Sequence, residues 1–292
     1  MTPDTASVAV RVIVFVALFQ AAGVVIFLRL FGKQLLMSKA AIRRLGMLCA
    51  VVGTLALLIH QLIDAARMAD EWSGIADQDL QVIAWTSSNA SYHITAAAGL
   101  VLIAAGMAIT APDKFKPALA GVSLAGVVLA TSAFLLTGHT SVHNLRWMLA
   151  PLLSVHLLIV AFWFGALLPL ALVAKRESNA IAAAVVGRFS AFAGWLVPFI
   201  AIVGIPMAWI LAEGQASVLR QPYGQLLLSK LAGFMLLMFL AAFNKLRLTP
   251  AIAAGVLSAP TALRRAILAE YIVIIAVLGV TATLTTFYSP TS

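Results

Sequence analysis

The sequence predicts an all-α fold, a polytopic membrane bundle of eight transmembrane helices with both termini on the outer (periplasmic) side, and three observations predict it. Of 292 residues, 63% are hydrophobic and only 10% charged, and the mean hydropathy is +1.05, more apolar side chain than a soluble core of this size can use. Eight apolar runs are each long enough to cross roughly 30 Å of hydrocarbon as helix. The alternating pattern of a membrane β-barrel is absent, and backbone inside a bilayer must satisfy its own hydrogen bonds, which leaves helices.

The first run, 8–31, is too long for the apolar part of a signal peptide, and the opening MTPDTAS has no basic residue, so it is read as retained. Runs 41–67 and 87–110 flank the longest outer connection, whose ADEWSGIADQD composition suits a solvated loop, with a lid or docking segment as the functional alternative. Runs 117–137 and 149–173 enclose GHTSVHNLRWMLAPLLSVHLLIVAFWFGALLP, residues 138–169, which holds three of the five histidines. The sixth run, 188–212, contains Pro198 and Pro206, which kink it. Runs 225–244 and 266–287 complete the set. No internal repeat interrupts the pattern, so residues 1–292 read as a single transmembrane domain.

Orientation comes from Lys and Arg. With both termini outside, fourteen of the nineteen basic residues fall on the inner side: Arg29, Lys33, Lys39, Arg43, Arg44, Lys114, Lys116, Lys175, Arg176, Arg188, Lys245, Arg247, Arg264 and Arg265. That is a strong positive-inside bias. The net charge of +9 therefore reflects topology, and nucleic acid is not expected as a partner. Asp4, Asp64, Asp70, Glu71, Asp77, Asp79 and Glu213 give the outer face an acidic rim that attracts cations. The single cysteine, Cys49, excludes an internal disulfide and a cysteine-rich metal site.

All five histidines then lie in the outer half. His60, His93 and His156 sit on three different spans about 10 Å below the outer ends by the helical rise, with His139 and His143 above them. One membrane histidine is most often a packing or hydrogen-bonding residue, but ionisable groups in a bilayer point to function, and coincident depth strengthens that. Imidazole clusters suit copper, zinc, iron or nickel; no HExxH or CxxC is present. Asp64, one turn after His60, can orient its imidazole or bind metal directly. Met68, Met148 and Met207 are also in the outer half and would favour Cu(I) as ligands, although packing is the commoner use of methionine. Cys49 reads as a small buried residue of the inner half. Trp163 and Gly165 read first as close helix packing, with Trp163 lining the metal site as second choice. Lys230 needs a partner inside the membrane, and Glu270 reads as an ion pair with Arg264 or Arg265.

Several short patterns carry a resemblance: Gly138–His139, His156 with Trp163–Phe164–Gly165–Ala166–Leu167, Arg188–Phe189–Ser190, Tyr223–Gly224, Leu227–Leu228–Ser229–Lys230, Asn244 with Arg247, and Leu263–Arg264–Arg265 with Glu270. Over roughly residues 138–290 the chain resembles the copper-resistance D (CopD) family of bacterial inner (plasma) membrane proteins. The resemblance implies an inner-membrane copper handler that receives copper from a small periplasmic copper-delivery protein, here a separate partner. It makes His139 and His156 the best candidate ligands, and makes Lys230 and Glu270 family positions without an assigned role. His60, His93 and His143 are added from depth and adjacency. Ala166 departs from the second glycine that the family more often has.

The expected function is thus copper capture at an outer histidine cluster with movement across the membrane, by a protein that is not an enzyme. The inner half offers only Met47, Cys49, Met107 and Glu270 as onward donors. The alternatives are a b-type haem electron carrier with paired histidine ligands and an assembly factor supplying copper to a respiratory oxidase.

Overall fold

Helix signals at the chain ends and turns place the elements. The computed structural model describes residues 1–109 and 112–288, without the side chains of Asp113, His139 and Ala216. Helix α1 (Pro3–Phe31) starts where the Thr2 hydroxyl accepts the Thr5 N–H, with Pro3 and Asp4 in its first turn, the arrangement that suits a helix N-terminus. Helix α2 (Lys39–Ala69) ends at Asp70 in the left-handed conformation, φ 56°. Asp77 caps α3 (Gln78–Thr86) by accepting the Leu80 N–H, and Ser87 caps α4 (Ser88–Ala108) the same way at Ala90.

Helix α5 (Lys116–Ser132) runs into a 3-10 turn, Ala133–Leu136, and the four-residue α6 (His139–Val142) precedes the long α7 (Arg146–Arg176). Span six divides at Val197 into α8 (Asn179–Leu196) and α9 (Pro198–Leu211), where Pro198 cannot donate to the preceding turn. Helix α10 (Pro222–Phe243) passes through a π turn, Asn244–Leu248, into α11 (Thr249–Ala253), and α12 (Ala259–Phe287) completes the bundle. Eight of these continuous segments are long and apolar enough to span a membrane, and no strand occurs among the described residues. The 68–86 connection is mostly solvent-exposed, as its composition predicts, but it is structured. Its 3-10 turn, Trp72–Ala76, brings Gly74 against the backbone of Ala65 and Ala66, and the Trp72 indole donates to the Met1 carbonyl at 3.0 Å.

Apolar burial cannot drive association inside a bilayer as it does in water, so close backbone approach matters more. Helices α1 and α7 cross through Gly23 and Gly165: a Cβ on Gly23 would lie 2.4 Å from the Gly165 Cα, and Gln20 donates to the Gly165 carbonyl at 2.8 Å. Gly99 and Gly126 bring α4 and α5 together similarly. Gly165 therefore serves close helix packing. Helix α1 packs against both α2 and α7, which barely meet each other, and against α12. Both termini lie at one end of the bundle, the terminal end, where Arg11 donates to the Thr285 carbonyl at 3.0 Å.

The opposite end has a tie of its own. Glu177, between α7 and α8, accepts the N–H groups of Leu36, Met37 and Ser38 and the Ser38 hydroxyl, at 2.6–3.2 Å. Burial alone would raise its pKa, but these four donors hold the carboxyl below the usual range.

Candidate metal centre

The end of α2 and the start of α4 bring His60 and His93 into contact near the terminal end. Their rings meet edge to face, centroids 4.8 Å apart, with His60 Nδ1 2.8 Å from His93 Nε2. Each ring is held from behind. His60 Nε2 lies 3.0 Å from the Ser7 hydroxyl of α1, and His93 Nδ1 lies 2.7 Å from Gln61 Oε1. With the Gln61 amide oxygen facing His93, protons run one way: His93 Nδ1–H donates to Gln61, His60 Nδ1–H to His93 Nε2, and Ser7 O–H to His60 Nε2. The reverse amide orientation reverses all three donations. Either way, the two facing nitrogens share one proton.

Asp64 completes the group one turn beyond His60. One ligand atom from each of His60, Asp64 and His93 falls within 4.8 Å of the others, and all three residues are buried. Asp64 Oδ2 accepts from Asn89 at 3.3 Å, and Asn89 in turn accepts from Thr137 at 3.0 Å. Arg67 reaches Asp64 Oδ1 at 3.5 Å and Asp4 at 2.7 Å. Two imidazoles and a carboxylate, each oriented by a further hydrogen bond, form a donor set for a divalent transition metal.

The other expected ligands are placed differently. His156, on α7, donates to the Ile200 carbonyl of α9, packs against Gly204, and leaves Nδ1 buried without a hydrogen-bond partner. Lys230 is its charged neighbour, and no carboxylate among the described residues pairs with that ammonium. His143 Nδ1 accepts the Leu145 N–H at 3.0 Å, tying the turn that starts α7. The His139 side chain lies outside the described residues. Met68 is 47% exposed, and Met148 and Met207 are half-buried.

In the other half of the bundle, a cavity of about 220 Å3 opens between α7, α8, α10 and α12. Its walls are mostly apolar, and its polar groups include Ser190, Asn244, Lys245, Thr249 and Glu270. The expected ion pair of Glu270 with Arg264 or Arg265 is not formed: the buried carboxylate accepts from the Asn244 side chain instead. The π turn places Asn244 there, and α12 points Glu270 inward while the arginines stay in its first turns. Trp163 lines this cavity rather than the histidine site. Cys49, Met47 and Met107 pack in the apolar core, with Met107 against Gly46, and none lines the cavity.

Sequence reading missed Ser7, Gln61, Asn89 and Arg67 as supports of the site. Their signal was polarity at the same depth as His60 and His93 within apolar spans.

Comparison with known proteins adds an independent view. Residues 1–147 match the family model described as "Copper resistance protein D-like, N-terminal domain", and residues 183–284 match "Copper resistance protein D". Copper resistance protein D of Pseudomonas syringae pv. tomato is 29% identical over 272 residues, spanning 85% of this chain and 84% of that protein. No solved structure matches.

Proposed function

This chain belongs to the copper resistance protein D family, and we propose that it captures copper at His60, His93 and Asp64 and carries it across a bacterial inner membrane. The observation that supports the reading most is the aimed donor set, two buried imidazoles in contact with a buried carboxylate beside them. It is a carrier rather than an enzyme. The metal arrives as Cu(II), because imidazole with carboxylate is a borderline-to-hard set and Met68, the soft candidate one turn after Asp64, is about half exposed. The basic loops at the opposite end support placing the terminal end outside, where a small periplasmic copper protein can deliver the ion. Onward movement uses the cavity that holds Glu270 and Asn244.

A paired-histidine haem is disfavoured by the same contact. Axial imidazoles must lie on opposite faces of a macrocycle, whereas these two nitrogens are 2.8 Å apart.

Copper(II) titration of the detergent-purified chain, followed by metal quantification, tests capture. We expect the wild type, His143→Ala and His156→Ala to load, and His60→Ala and His93→Ala to lose the metal. Unchanged loading in both of the last two removes the site.

A further inference from the structure

We propose that Arg67 is a resident cation which an incoming divalent metal displaces from Asp64 onto Asp4; this rests on the copper site proposed above. Asp64 is 3% exposed, too buried to hold a bare charge cheaply. In the metal-free chain, Arg67 supplies the compensating charge from the same helix, one turn on. Its Nη1 lies 3.5 Å from Asp64 Oδ1, while its Nε holds Asp4 Oδ1 more tightly, at 2.7 Å.

The two carboxylates differ in setting. Side-chain exposure rises from 2% at Asp64 through 22% at Arg67 to 40% at Asp4. The guanidinium therefore stands between the buried donor set and the rim, with its firmer contact already on the rim side. A second cation, Arg11, faces the same groups but is fixed to α12 through two bonds to Thr285, at 3.0 and 3.1 Å. Arg67 alone of the pair has another carboxylate to move to.

A metal ion beside His60, His93 and Asp64 and a guanidinium on the same carboxylate repel each other. Exchange relieves that repulsion: the ion takes Asp64, Arg67 keeps Asp4, and Asn89 continues to hold the other Asp64 oxygen. A monovalent ion would only replace one positive charge with another, whereas a divalent ion adds charge where the imidazoles can ligate it. When the ion leaves, Arg67 returns and the site is again neutralised. The device sets a threshold for entry and selects for divalent charge.

The test is copper(II) titration of the full chain in detergent, with the dissociation constant read for each variant. Arg67→Gln removes the competing cation and should bind about ten-fold more tightly, whereas Asp4→Asn removes the alternative seat and should bind about ten-fold more weakly. Arg67→Lys should stay near the wild type. A purely structural role for the trio weakens binding in both of the first two variants, and that result, or no change in either, overturns the displacement while leaving the copper site standing. A wild type that binds no copper overturns the site and the displacement together. Should Arg67→Gln fail to fold, Asp4→Asn at the half-exposed rim decides alone, and an unchanged constant overturns the proposal.

Discussion

His93 Nδ1 is bonded to Gln61, so the Nε2 of the same ring faces His60 with nowhere else to turn. A ligand ring fixed through its second nitrogen binds metal better than a free one, and loss of such a partner typically lowers affinity about 10- to 100-fold. We expect Gln61→Leu to weaken copper(II) binding within that range while leaving folding intact, as read by titration and by the thermal transition. Gln61→Glu, which keeps the acceptor, should recover most of the affinity. At this scale the sequence was partly informative. The i, i+4 spacing of His60 and Asp64 put both on one face, and the depth of His93 matched. His156 shares that depth but sits on α7, across α1 from α2, so equal depth did not mean proximity. His143 uses its Nδ1 in its own turn, a contact that its place in the sequence did not announce.

Among the elements, spans were legible wherever length and hydropathy decide, and the break at Pro198 was legible because a residue without an N–H marks it. The π turn at Asn244–Leu248 comes just before Pro250, another residue without an N–H, but its packing against α12, with Asn244 on Glu270, was hidden. The Glu177 tie was equally hidden, since it joins two turns 139 residues apart. The carboxyl pKa is depressed in the folded chain, so its stabilisation is fully present above the ordinary glutamate value of about 4.3 and is lost as pH falls through the lower folded value. Glu177→Gln should lower stability near neutral pH by about 1 kcal/mol, the usual net worth of a hydrogen bond. The gap between variant and wild type should close in acid, as measured by thermal unfolding across pH. A gap that stays constant down to acid counts against the charge and for simple packing.

Taken whole, the bundle is unevenly packed. In the apolar stretch of α7, 72% of residues are buried, against 11% for the α8–α9 span and 6% for the α10–α11 span. The cavity with Glu270 lies between these tight and loose parts. If capture and passage are separate tasks, Glu270→Gln should keep copper bound to purified protein yet reduce copper accumulation in cells, and lost binding would show that the two ends are not independent. Arg11 of the first span meets Thr285 of the last, 274 residues later, so α1 leaves the ribosome long before its partners on that side exist. Every donor of the histidine site and its supports lies between Asp4 and Asn89 except His93 and Thr137. The residues of the histidine site are thus all synthesised before α7, while the face of α1 that carries Gln20 and Gly23 still waits for that helix.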